Sequence, residues 1–478
     1  MEYADFELDK RLIEVVPTER QLEYQKQEFY GFIHFTVNTF TNQEWGKGDE
    51  SPEIFNPEEL DAEEWVKTAY HAGMKGLILT CKHHDGFCLW PSKYTEHSIK
   101  NSPYKDGKGD VVREVSDACR KYGIKFGVYL SPWDRNHPAY GSGKEYDDYY
   151  INQLTELFTQ YGKVYTLWMD GACGEGPNGK CQNYDWERYY AKVRELQPNA
   201  VLSVSGPDVR WCGNEAGIVR PSEWSVVSAD MTSPTRTAML SQQSDDENFR
   251  TRPVDPTQID IGSRDVLKNE KELAWYPAET DVSIRPGWFY HPEEDEEVKS
   301  FECLRDIYLE SVGGNTTLLL NIPPMKNGRI HETDKKNLKM LGNYIRNTFS
   351  ENLAEEAEIE TVPVFGAEME TAENLKDDTY DTFFANPEGC RELNIHIKWK
   401  EKKKLSYLVL KENILFSQRV EAYNVSYRTK DGVLKDCYQG TVIGYKKIID
   451  LDGIHTDELL IRITDARVAP ILSFVGVF

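Results

Sequence analysis

From about residue 29 to residue 350 the chain alternates between two kinds of segment, and this alternation constrains the fold more than any other feature. Short runs rich in β-branched and aromatic residues are followed by amphipathic stretches of helical period. The runs are Phe29–Val37, Gly76–Lys82, Lys125–Ser131, Val164–Asp170 and Ala200–Ser205. Between them the pattern predicts a helix opened by Asp61, with Glu64 three residues later as in a capping box. It predicts another over Asp110–Tyr122 closed by Gly123, one near Asp147–Tyr161, and one near Asp185–Leu196 stopped by Pro198. Over about 206–298 the pattern blurs, then returns as a helix Lys299–Val312, a strand Thr316–Ile322 and a helix Thr333–Phe349. Near-continuously apolar strands separated by helices mean parallel βαβ units. Five in succession fit a (β/α)8 barrel, TIM-like and complete or degenerate, with the later strands in the blurred stretch. A doubly wound open sheet is disfavoured, because no GxGxxG follows the first run.

Around residue 350 the pattern changes. After the acidic run Glu351–Glu360, short alternating strands replace helical periods: Glu392–Trp399, Lys404–Leu410, Gln418–Thr429, Cys437–Leu451, Glu458–Ile463 and Pro470–Phe478. This reads as a C-terminal β-sandwich over 351–478 behind a barrel over 1–350.

Composition narrows the partners. The net charge of −24 repels nucleic acid and anionic membrane surfaces alike. No apolar run approaches the ~20 residues of a membrane span. The N-terminus has neither a basic n-region nor an apolar h-region, so a cytoplasmic home is expected. A chain trimmed of a leader for secretion or the periplasm would read the same. Nine scattered cysteines without a CxxC make neither a disulfide framework nor a zinc ribbon.

In such barrels the active site forms at the C-terminal ends of the strands. The polar residues there are His34 and the loop 38–45 after the first run, Lys82-His83-His84-Asp85 after the second, and Ser131-Pro132-Trp133-Asp134 after the third. Trp168-Met169-Asp170-Gly171 ends the fourth, and Gly206–Gly217 after the fifth holds Asp208, Arg210, Trp211 and Glu215. A ring of His, Trp, Asp and Glu suits a neutral polyol with one or two carboxylates for acid–base chemistry. Asp170 follows an apolar run directly, so its carboxylate is placed as a nucleophile. A turn Asp before Gly171 is the plainer reading. Glu215, on a glycine-flanked loop, reads by itself as a solvated residue. His83 and His84 are adjacent on a strand end and point to opposite sides, so no metal and no cofactor is expected. Hydrogen bonding to sugar hydroxyls is the better use.

The segments GFIHFTVNTFTNQEWG, CKHHDGFCLWPSKYTEHS, GVYLSPWDRNHP, LWMDGA, GPDVRWCGNEAG, WYPAETDVSIRPGWFYH and GGNTTLLLNIPP resemble family 29 glycoside hydrolases, the retaining α-L-fucosidases. The resemblance covers about residues 20–350. GPDVRWCGNEAG is similar to the subfamily that removes α-1,3/1,4-linked fucose from branched, Lewis-type glycans. The last ~125 residues resemble the discoidin-like sandwich often attached to these enzymes, through GYKKIIDL and LLIRITDARVAP. The resemblance implies that Asp170 is the nucleophile and that Glu215 is the acid/base with a raised pKa. It implies that His34, His83 and His84, with Trp45, Tyr129 and Trp168, bind fucose, and that Trp288 walls its methyl group. Asp134 and Trp211 are placed toward the aglycone, as are Trp133, Asp208 and Arg210 on the same outer loops. The expected partner is a fucosylated oligosaccharide or glycoconjugate. Another TIM-barrel exo-glycosidase, such as a hexosaminidase, and a non-catalytic glycan-binding protein are the rival readings.

Overall fold

The computed structural model describes residues 3–241, 259–362 and 372–478. Residues 242–258, inside the blurred stretch, lie outside the described residues. Strands β1 (Phe29–Ile33), β2 (Gly76–Lys82), β3 (Lys125–Leu130), β4 (Thr166–Met169), β5 (Val201–Val204) and β6 (Arg210–Trp211) come first. An antiparallel pair, β7 (Val226–Ser228) and β8 (Leu273–Trp275), lies off the main sheet. Strands β9 (Ala278–Ser283) and β10 (Thr316–Asn321) complete the first part of the chain. The main sheet has eight parallel strands in the order β5-β4-β3-β2-β1-β10-β9-β6, and β5 meets β6 only through the bridge Ser203–Val209. It is a TIM-like barrel with one thin seam. No helix separates β5 from β6. A tight turn does so, entered through Val204 at φ 68°, a conformation a β-branched residue rarely adopts.

The strands are short and buried along nearly their whole length, as a sheet covered on both faces requires. Helices pack outside. The helix Ala62–Ala72 starts where the Asp61 carboxylate accepts from the Glu64 N–H and stops at Gly73, φ 90°. Val111–Tyr122 is bounded in the same way by Asp110 and Gly123. Inside the barrel, Tyr30, Phe32, Ile78, Tyr129, Trp168 and Leu319 form a separate lumen cluster. The lumen is therefore packed below, and only the C-terminal ends of the strands are available for a pocket.

The rest of the chain is a β-sandwich of β11 (Glu358–Val362), β12 (Phe384–Ala385), β13 (Leu393–Glu412), β14 (Val420–Arg428), β15 (Leu434–Gly440), β16 (Lys447–Ala466) and β17 (Ile471–Val477). The segments Glu392–Trp399 and Lys404–Leu410 are one strand rather than two. The ladder between β13 and β16 shifts register between Lys398 and Lys403, and pairing resumes beyond it along both strands. The expected strand Cys437–Leu451 is instead split between β15 and β16. The sandwich is fastened to the barrel. Tyr445 N–H donates to Asn315 Oδ1 at 2.7 Å, Gln418 Oε1 accepts from two backbone N–H groups at 225–226, and Phe349 packs edge-on against Phe478.

Candidate active site

The C-terminal ends of β1, β2, β3, β4, β6 and β9 converge on one pocket. Asp170 is the first residue after β4. Its Oδ1 accepts from the Ala172 N–H at 2.8 Å, so the turn reading is correct for that oxygen. Its Oδ2 faces the pocket, where Tyr129 OH donates to it at 3.1 Å and His84 Nε2 lies 3.6 Å away. The carboxylate is thus aimed by its own turn and steadied from β3.

Glu215 arrives from another direction. After β6 the chain turns through Gly213, φ 106°, and Gly217, φ 78°, values that favour glycine. Asn214 organises the loop, its Oδ1 accepting from Ala216 N at 3.0 Å and Ile218 N at 3.2 Å. The bridge Ala216–Val282 pins the loop to β9. Trp288 Nε1 then donates to Glu215 Oε2 at 2.9 Å. Trp288 in turn packs against His34, ring centroids 5.2 Å apart, and so connects this carboxyl to the histidine cluster.

His34, His83 and His84 form that cluster, with centroids 5.8 Å (His34–His83) and 4.2 Å (His83–His84) apart. Their outer nitrogens fix their tautomers. His34 Nδ1–H donates to Asn321 Oδ1 at 2.8 Å, and the Asn321 amide is oriented by donating to Trp288 O at 2.8 Å. His84 Nδ1–H donates to Ser131 Oγ at 2.7 Å, and the Ser131 hydroxyl is spent on Trp133 O. His83 Nδ1 instead accepts from Asn38 Nδ2 at 3.3 Å. In these tautomers the Nε2 of His34 and of His84 is an acceptor, while the Nε2 of His83 is a donor. Burial lowers all three basicities, His34 and His84 to about 4, so the rings are neutral at pH 7. Neutral rings with mixed roles match hydroxyl groups, each of which donates and accepts.

The other aromatic residues divide by depth. Trp168 is buried in the lumen, its Nε1 donating to Glu279 Oε1 at 2.6 Å. Trp45 is 40% exposed and stands edge-on to His84 and Trp133, 5.6 Å from each. The Trp45 loop is tied across the pocket by Glu44, whose carboxylate accepts from Trp288 N, Phe289 N and His291 Nε2 at 2.7–3.0 Å.

Three expectations for the outer loops do not hold. Asp134 is 1% exposed, and its carboxylate is used up by Lys82, Tyr149 and the N–H groups of Asn136 and His137. Asp208 is buried between Arg20 and Arg194 and also accepts from Leu202 N. Arg210 is buried against Glu223. These three are buried and bound to partners within the protein itself. Trp211 belongs to β6 and not to an outer loop, with its Nε1 turned inward to Asp281 Oδ1 at 2.8 Å. Reading the sequence put Ser131 and the loop that holds Glu44 on the rim without giving either residue a role, and missed Asn321, Glu279 and Asp281 as members of the site or its supports. The alternation Glu279–Asp281 within AETDVS was the available signal, since residues two apart on a strand share a face.

Comparison with known proteins agrees with this geometry. Residues 14–348 match the family described as Alpha-L-fucosidase. The chain is 37% identical to "Alpha-L-fucosidase 1" of Arabidopsis thaliana over 97% of its length and 87% of that protein. Among solved structures, a putative α-L-fucosidase from Bacteroides ovatus superposes with a TM-score of 0.85 at 43% identity, covering 100% of this chain and 76% of the other. A Ruminococcus gnavus GH29 fucosidase in complex with fucose superposes with a TM-score of 0.83 at 32% identity, covering 97% and 95%. Neither the hexosaminidase nor the non-catalytic reading survives these matches. With a family match over most of its barrel and fold agreement over nearly its whole length, the chain belongs to the family 29 glycoside hydrolases, the α-L-fucosidases.

Proposed function

We propose that this α-L-fucosidase is a retaining exo-enzyme that removes α-1,3/1,4-linked fucose from branched, Lewis-type glycans. The observation that carries the mechanism is the arrangement of two carboxyls at one pocket. Asp170 Oδ2 is steadied by Tyr129 beside the three histidines, and Glu215 is held to the same cluster through Trp288. Retaining enzymes place two carboxyls about 5–5.5 Å apart, one attacking and one exchanging protons. Asp170 attacks the anomeric carbon while Glu215 delivers its proton to the departing glycosidic oxygen. Glu215 then takes a proton from water as the water attacks the fucosyl ester and frees Asp170. His34 and His84 accept from fucose hydroxyls, and His83 donates to one. Phe32, Trp288 and Phe289 surround His34 with an apolar wall suited to the C6 methyl group.

The linkage preference is supported by the ledge that Trp45 and Trp133 build next to His84. An exposed indole at the edge of a one-sugar pocket fits the apolar face of a second ring lying beside the fucose. Binding energy from that second ring can be used in the transition state. The test is a substrate panel. The Lewis-type trisaccharide should exceed a simple aryl fucoside in kcat/KM by tenfold or more, and α-1,2-linked fucose should be cut slowly or not at all. Equal kcat/KM on all three would reject the subfamily placement.

A further inference from the structure

β9 sends two carboxyls, Glu279 and Asp281, into the barrel lumen, and they differ in how they are held. Glu279 accepts from Tyr24 OH, Tyr30 OH and Trp168 Nε1 in the packed layer below the pocket. Asp281 lies one layer higher, 2% exposed, with Trp211 Nε1 donating to its Oδ1 at 2.8 Å. The Glu215 loop begins straight after Trp211 and bridges back onto β9 at Val282, the residue next to Asp281. Two backbone anchors therefore keep Glu215 beside Asp281, and two indoles, Trp211 and Trp288, each donate to one of the carboxyls.

Resting on the reading of Glu215 as the acid/base, we propose that Asp281 is a positioning residue that shares one proton with Glu215 and so keeps the acid protonated through neutral pH. Two neighbouring carboxyls in a low-dielectric site do not both ionise readily, so the second proton of the pair is held more tightly than that of a lone carboxyl. Burial pushes Asp281 well above the usual carboxylate range, Glu215 pushes it further, and Glu279 adds to the effect, with the Trp211 N–H opposing. The titratable groups facing Asp281 are Glu279 on its own strand and the buried Cys212 thiol that follows Trp211, which burial and Asp281 together keep protonated. His34, His83 and His84 after β1 and β2 are neutral, and β10 contributes Leu319 and Asn321. The proton accounting closes. When the bond from Asp170 to the anomeric carbon forms and the glycosidic C–O bond breaks, Asp170 loses its negative charge. The pair gains one negative charge in the same step, because its proton leaves with the aglycone oxygen. The pocket's total charge is unchanged, and the attacking water returns the proton in the second step.

The test is the pH profile of kcat/KM on an aryl fucoside whose departure needs a proton. Asp281→Asn should move the alkaline limb acidward by about one to two pH units. Asp281→Glu should keep the limb near its original position. Glu215→Gln is the control, since its residual activity has no such limb if Glu215 is the acid. A limb retained by Glu215→Gln would reject the acid/base reading. A limb lost in Glu215→Gln but unmoved in Asp281→Asn would overturn the role of Asp281 alone. If Asp281→Asn does not fold, infrared difference spectra between the intact enzyme and Glu215→Gln decide. A protonated carboxyl signal at pH 7 supports the shared proton, and its absence overturns it.

Discussion

Ser131 acts on Asp170 at one remove, through His84, yet Ser131→Ala should slow the enzyme measurably. Its Oγ accepts the His84 Nδ1–H at 2.7 Å and donates its own O–H to Trp133 O, which leaves it no freedom to donate back. The ring is thereby fixed with a bare Nε2, 3.6 Å from Asp170 Oδ2. Two lone pairs at that distance repel unless a hydroxyl donates between them, and a fucose hydroxyl is the donor the mechanism supplies. With alanine at 131, the proton can move to Nε2 and donate to Asp170 directly. The nucleophile is then stabilised in the ground state, and the sugar loses its acceptor. One buried hydrogen bond of this kind is worth about 1–3 kcal/mol, or about 5- to 150-fold in kcat/KM at 1.36 kcal/mol per tenfold. The assay is kcat/KM on an aryl fucoside together with inhibition by free fucose, and both should weaken while the melting temperature moves little. The same logic gives a pH dependence. His84 gains its second proton near pH 4, so the free enzyme should lose activity as pH falls through about 4. Ser131→Ala activity within twofold of the unaltered enzyme would refute the tautomer argument.

Other outcomes follow from neighbouring contacts. Lys82→Met leaves the buried Asp134 carboxylate without its partner at 3.1 Å, so it should cost about 3–5 kcal/mol of stability in denaturant unfolding. Glu44→Ala unties the Trp45 loop from Trp288 and should reduce kcat/KM by more than tenfold with a small change in melting temperature. His34 and His84 have folded-state pKa values near 4, so the unfolded chain binds more protons below about 6.5. These two rings therefore withdraw stability as pH drops from about 6.5 to 4, against Asp85 and Glu279, which burial raises to about 7 and which add stability over the same range, and an NMR titration of the two rings should show both still neutral at pH 5. His83, whose Nδ1 accepts from Asn38, turns an Nε2–H rather than a lone pair to the pocket, and no group of three or more His, Cys, Asp or Glu among the described residues could hold a metal ion, so a chelator should leave activity unchanged.

Much of the barrel could be read from the sequence because β1 to β5 and β10 are apolar along their length and their helices carry local caps such as Asp61 and Asp110. The stretch 206–298 could not, for three physical reasons. β6 is two residues long and follows β5 after a turn with no helix. β7 and β8 form a separate antiparallel pair off the main sheet. β9 carries Glu279 and Asp281 inward, so it does not show the apolar signature of a buried strand. Asp170 could be read because its position after an apolar run suffices to put it on the rim. Asp134 and Asp208 were misplaced by that same rule. A rim position does not reveal whether a carboxylate turns into the pocket or sideways to a distant cation, and Lys82 and Arg20 meet them only in three dimensions.

The central claim is that Asp170 forms a covalent bond to fucose. A 2-deoxy-2-fluoro-fucosyl fluoride, which slows the release of the intermediate, tests it directly. After incubation and proteolysis, mass spectrometry should find one added fluorofucosyl group on the peptide containing Asp170, and Asp170→Asn should take up none. A label on any other carboxylate, or turnover that inverts the anomeric configuration without a label, would contradict the account.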